Sequence, residues 1–188
     1  MELPEILRER REALADRWRE LVLEGYPPQA VAFLRQEKDG FQNPVGATIR
    51  QAIGELTRAL VAGDGRENPS AALDALVRMR AVQDFSPAQT VGFVFLFRRA
   101  LADVLRQELA GVRAEELIGL DARLDDLALE AWDRYAACRD KVSELRAREA
   151  TARTYTLLKR AGLLADASEA TEPESALGPK GGRETCGS

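Results

Sequence analysis

No histidine occurs in this 188-residue chain, and cysteine contributes only two thiols. The first absence removes the usual haem ligand, the commonest zinc ligand and the commonest general base. The second leaves no disulfide framework and no CxxC redox motif, because Cys138 and Cys186 form no close pair. Cys138 falls within a helical pattern and is expected to be a small buried hydrophobe; Cys186 lies in the terminal stretch. Long apolar runs are missing too: nothing approaches the roughly 20 residues needed to span a bilayer. The opening Met-Glu-Leu-Pro-Glu lacks the apolar core of a secretory signal. These absences lead to the expectation of a cytoplasmic protein without membrane insertion.

Positive charge is not in excess either. With 27 Lys and Arg against 31 Asp and Glu, the formal charge of −4 argues against a nucleic-acid or anionic-membrane binder. The basic clusters, between Arg8 and Arg11 and at Arg98-Arg99, have no interleaved aromatics to stack on bases. The acidic pairs Glu115-Glu116 and Asp125-Asp126 are adjacent in sequence, so on a helix they diverge rather than converge on one metal. Gly63-Asp-Gly65 lacks the glycine spacing and strand context of a phosphate loop, and Ser86 has no candidate base. The expectation is therefore a protein that is not an enzyme and carries no cofactor or metal.

What is present is 45% apolar and 31% charged residues, enough to bury a substantial core in one domain. Helix punctuation recurs and strand signals are almost absent. Pro4 opens a helix expected to reach about Glu24, with Gly25 as its stop. Tyr26-Pro27-Pro28 leads into a short helix carrying Val31, Phe33 and Leu34, and Phe41 is expected to anchor the following loop in the core. Asn43-Pro44 and Asn68-Pro69 are cap-plus-proline helix starts. Ser86-Pro87 is a third, opening a central helix expected to reach about Leu109. A last helical region begins near Arg113 and is expected to bend around residues 119–121.

Residues 80–99 are the most informative stretch. Phe85, Phe93, Phe95 and Phe97 place four of the six phenylalanines there. The segment from Val91 to Phe97 is apolar all round, as a helix surrounded by protein should be. The expected core contains Trp18, Phe33, Phe41, Leu76, Phe85, Phe93, Val94, Phe97 and Leu127. Arg80 and Asp84 sit one helical turn apart. Together with Gln89 they are candidates for the polar lining of a ligand pocket against Phe93, since a few polar groups beside an apolar surface are the usual make-up of such a site.

From Leu124 the apolar spacing alternates four and three: Leu124, Ala128, Ala131, Tyr135, Cys138, Val142, Leu145. That is the seam of a coiled coil or of a long bundle helix. Glu149 occupies the next seam position and ends the pattern. A helix over residues 121–161 would be about 60 Å long at about 1.5 Å per residue, so its first half should pack on the domain and its second half project. The candidate surface of a parallel homodimer is Tyr135, Cys138, Val142 and Leu145. Beyond Gly162 apolar periodicity is lost, and residues 163–188 are expected to be a disordered tail after a domain of residues 1–162.

Trp18 followed by Tyr26-Pro27, the entry from Phe41 to Gly46, the junction from Arg80 to Pro87, the helix from Gly92 to Leu96 and the stretch from Ala131 to Arg146 together resemble one bacterial family. It is the RsbRD-type N-terminal domain, related to the RsbT co-antagonists of stress-signalling partner-switching systems. The resemblance covers about residues 5–160 and is most specific over 80–97. It implies an all-α, globin-like helical bundle without haem, used as a sensory module and commonly dimeric. In the co-antagonists the last helix leads into a STAS domain that meets the kinase; here the tail to Ser188 follows it, so the resemblance carries the sensor half of the function. The expected role is non-catalytic, through contact with a signalling protein whose identity the sequence does not name. The alternative is a helical adaptor that docks through the long helix and senses nothing.

Overall fold

The computed structural model describes residues 2–36, 41–63, 69–83, 85–106, 108–161 and 163. Among the described residues every regular element is helical, as the punctuation and the lack of strand signals predict. The elements are α1 (Leu3–Glu9), α2 (Arg11–Leu23), α3 (Pro28–Leu34), α4 (Pro44–Ala62), α5 (Ser70–Val82), α6 (Pro87–Gly92), α7 (Leu96–Leu105), a 3₁₀ turn (Glu108–Gly111) and α8 (Ala114–Arg160). Asn68, the expected tail from residue 164 on and Cys186 lie outside the described residues. The protein divides into two units at Glu144 and Leu145, and α8 contributes to both.

In the first unit α2 is the central element. It packs on α4 and on α7, while α4 also meets α5 and α1, and α5 meets α6. The interior is one continuous cluster. Leu14, Trp18, Leu21 and Val22 of α2 join Ile49, Ile53 and Leu56 of α4, Leu73, Leu76 and Val77 of α5, and Phe93, Val94 and Phe97. From α8 the buried contributors are Leu120, Leu124, Leu127, Ala128, Ala131 and Tyr135. Ion pairs tie the surface of these contacts: Arg17 with Asp103 at 2.7 Å, and Arg98 with Asp121 at 2.8 Å and Asp125 at 2.7 Å.

Asn43 shows how local sequence sets the fold. Its Oδ1 accepts the Gly46 N–H at 2.9 Å, capping α4. Its Nδ2 donates to the carbonyls of Phe33, Leu34 and Gln36 at 3.0, 3.3 and 3.1 Å. One fully buried side chain thereby satisfies the start of α4 and the end of α3. Gly46 is required for this approach: a Cβ there would collide with the Asn43 side chain and would lie 2.5 Å from the Leu34 carbonyl oxygen. Gly63 ends α4 in the left-handed conformation at φ 65°, which glycine adopts without steric cost.

Several boundaries differ from the sequence expectation. The first helix is two pieces, because Arg10 leaves helical geometry at φ −97°, ψ 8°. Hydrogen bonds still cross the joint (Arg10 N–H to the Ile6 carbonyl, Leu14 N–H to the Arg10 carbonyl), so it is a kink that lays both pieces on one core. The central helix is also two pieces. Between α6 and α7 the N–H groups of Val94, Phe95, Leu96, Phe97 and Arg98 each bond the carbonyl three residues earlier, tightening this stretch into 3₁₀ geometry. The last helix starts at Ala114 and runs through Gly119 without interruption.

The core expectation holds for Trp18, Leu76, Phe93, Val94, Phe97 and Leu127, all buried. Phe85 is half-buried and packs against the cluster. Phe33 and Phe41 are corrections: they are 44% and 93% exposed. Phe33 falls on the outer face of a short helix that turns Leu34 inward, and Phe41 stands in the turn before α4 rather than reaching the core.

In the second unit, every described residue from Leu145 to Leu163 is exposed. Its side-chain bonds are local: the hydroxyls of Thr151, Thr154 and Thr156 each donate to the carbonyl four residues earlier at 2.9 Å.

Candidate functional site

Three chain segments bring polar and aromatic groups together at one end of α2. Arg80 enters from the last turn of α5, and only 3% of its surface is exposed. Its Nη1 donates to the Gln89 carbonyl at 2.8 Å and its Nη2 to the Val22 carbonyl at 3.2 Å. The guanidinium thus ties α5 to α6 and to the C-terminal turn of α2, where the helix dipole favours a cation. Three ring faces surround it, with the guanidinium carbon 5.4, 5.1 and 5.6 Å from the centroids of Tyr26, Phe85 and Phe93.

No carboxylate among the described residues lies within ion-pair distance of Arg80. Burial pushes its guanidinium below the ordinary arginine range, and the charge interaction and side-chain hydrogen bond with Tyr26 act in the other direction. Arg98 is the contrast: hydrogen bonds to Asp121 and then Asp125 raise it above that range. The Nε of Arg80 is buried and has no hydrogen-bond partner among the described residues.

Phe93 lies at the bend between α6 and α7. Its ring stacks on Trp18 with centroids 6.1 Å apart, and its carbonyl accepts the Trp18 indole N–H at 2.8 Å. Trp18 also meets Phe97 edge-on at 5.0 Å. The start of α6 is fixed by a reciprocal cap: the Gln89 N–H donates to Ser86 Oγ at 3.2 Å, and the Ser86 N–H to Gln89 Oε1 at 3.0 Å.

Arg80, Gln89 and Phe93 line one pocket of about 190 Å³, whose remaining walls include Leu21, Val22, Phe85 and Leu96. Gln89 contributes its carbonyl there, because its side chain is engaged in the cap. That engagement was legible as Ser86-x-x-Gln89, the spacing of a capping box. Asp84 lies outside the described residues. Tyr26 and Phe85, which complete the ring cage around Arg80, follow the ends of α2 and α5, where helical periodicity gives no signal.

A larger groove of about 450 Å³ runs between Leu7, Arg8, Val61, Glu116 and Arg123. None of the buried polar atoms left unpartnered among the described residues belongs to it. The Arg123 guanidinium lies against Gly63, a cation at the C-terminus of α4 that serves the helix end.

The proposed dimer seam is graded along α8. Tyr135 is buried in the chain's own core, Cys138 and Val142 are half-buried, and Leu145 is exposed. Among the described residues no cluster of three or more Cys, Asp or Glu could hold a metal ion, and no helix is long and apolar enough to cross a membrane.

Together these features define an all-α domain with a small mixed pocket at the joint between α6 and α7. The chain belongs to the family of the RsbT co-antagonist protein rsbRD N-terminal domain, whose family model matches residues 12–153. An uncharacterized protein of Archaeoglobus fulgidus is 26% identical over 142 residues, covering 74% of this chain and 83% of that protein. No solved structure matches the chain.

Proposed function

We propose that this chain is a haem-free sensory module of partner-switching stress signalling, acting through protein–protein contact and without catalysis. The observation that carries the reading is the family match over residues 12–153 in a chain with no histidine. The input is the pocket at Arg80 and Phe93, on the joint between α6 and α7, so occupancy bears directly on a bend in the core. The output is α8, through a parallel homodimer and a signalling partner. Since Tyr135 is engaged in the chain's own core, the dimer contact centres on Cys138, Val142 and Leu145. The globin-like arrangement is carried by the family resemblance.

Light scattering tests the output. The wild-type protein is expected at twice the 20.7 kDa chain mass at micromolar concentration. Val142→Glu with Leu145→Glu, which places like charges in the seam, is expected to return the single-chain mass with an unchanged helical circular-dichroism spectrum. A wild-type monomer would remove the dimer and favour a lone solvated helix.

A further inference from the structure

Arg80 is a permanent cation inside a core, and the groups around it answer only part of its chemistry. A guanidinium has five N–H donors. Two carbonyls accept from Nη1 and Nη2, and Nε is unpartnered among the described residues. Three ring faces offset the charge but supply no carboxylate. A buried charge without an anionic partner is costly, and the stable remedies are an opposite charge and further acceptors. Among the described residues that line the pocket beside it, Arg80 carries the one charge, and Leu21, Val22, Phe85, Phe93 and Leu96 supply apolar wall. The pocket volume, about 190 Å³, slightly exceeds the cavity of about 150 Å³ known to hold benzene in another protein.

We propose that this pocket binds a small organic monoanion of about benzene size, a carboxylate whose apolar body rests on Phe85 and Phe93 and whose oxygens accept from Arg80. The proposal rests on the sensory reading above and names the ligand class of that site. A carboxylate can accept two guanidinium N–H bonds in one plane, which suits Arg80 better than a point charge would. The ring of Phe93 connects the ligand to Trp18, which stacks on it and bonds its carbonyl. Occupancy would therefore be felt at the 3₁₀ joint between α6 and α7.

The same connection supplies the readout. The chain has two tryptophans, and Trp132 is half exposed, so Trp132→Phe leaves Trp18 as the one reporter. Benzoate is the probe and benzamide its neutral counterpart. Benzoate is expected to change Trp18 emission saturably at millimolar concentration or below and to raise the melting temperature. Benzamide should bind about tenfold more weakly or worse. Because Arg80 variants risk the fold, the blocking variant is Gly92→Leu. Gly92 lines the pocket, and a Cβ built there meets nothing within 4 Å, so the substitution begins without a clash at the backbone.

Loss of the benzoate response in Gly92→Leu, with helix content and melting temperature retained, supports the site. Equal binding of benzamide, or no saturable response to either compound, overturns the anion proposal. A response that emerges only after Asp84→Asn overturns it as well, because the chain would then supply its own counter-ion. The dimer mass is read without any probe, so failure here and failure of the sensory reading are separate results.

Discussion

Arg80 is buried among Leu21, Val22, Tyr26 and Phe93, and the carbonyls that hold it come from other helices: Val22 lies 58 residues away and Gln89 nine. Along residues 145–163 every described side chain is exposed, and the threonine hydroxyls bond only four residues back. Both regions are helical and both carry large apolar side chains. Tyr155 is 58% exposed and Leu157 64%, whereas Phe93 is 1% exposed. Helical period and apolar content do not by themselves decide burial; a neighbouring element on the same face does. The Arg80 region is made by tertiary structure, and the end of α8 is made by its own backbone.

The largest expected effect breaks the first region. Phe93→Ala removes a fully buried ring that stacks on Trp18 and forms one wall around Arg80. It should cost about 3–5 kcal/mol in urea titration. A loss below about 1 kcal/mol would mean that the site collapses readily around the gap and that the ring is not a fixed part of the core.

A smaller effect sharpens the role of the cation. Arg80→Met removes the charge together with two hydrogen bonds to helix-end carbonyls, but it also relieves the burial of a guanidinium. These oppose each other, and the net loss is expected at about 1–3 kcal/mol. Arg80→Lys keeps the charge but loses the fork that spans the Val22 and Gln89 carbonyls, so it should recover less than half of that loss. If lysine restores full stability, charge at this place matters and the two-carbonyl tie does not. If methionine is neutral, relief of the buried charge fully offsets the lost tie.

Much of the fold is legible locally. Asn43-Pro44 and Ser86-Pro87 mark helix starts because capping involves residues within three positions of one another. The apolar faces of α2, α4 and α5 follow from spacing alone. What escapes the sequence is decided at a distance. The Trp18 indole reaches a carbonyl 75 residues away, at the place where the central helix tightens. Arg80 was recognisable as a polar residue before an apolar helix, but its carbonyl partners and the cage of Tyr26 and Phe85 depend on how α2, α5 and α6 meet. Phe33 and Phe41 mislead for the opposite reason: their side chains are those of core residues, yet the segments that bear them face outward.

The smallest expected effect belongs to the second region. Leu157→Ser with Tyr155→Ser alters two exposed side chains on the last turns of α8. Neither contributes to the buried cluster, so the urea midpoint of the core transition should stay within about 0.5 kcal/mol of wild type. Serine is a modest helix former and these positions lie close to a helix end that frays, so a small loss of helical signal is expected without loss of the core. Should the pair instead lower core stability by more than about 1 kcal/mol, the apolar groups of this stretch must be covered in solution. Since each chain exposes them, a concentration-dependent loss would assign that cover to a second copy, and a concentration-independent one to the chain itself. The first outcome would extend the dimer beyond Glu149, where the sequence pattern places its end.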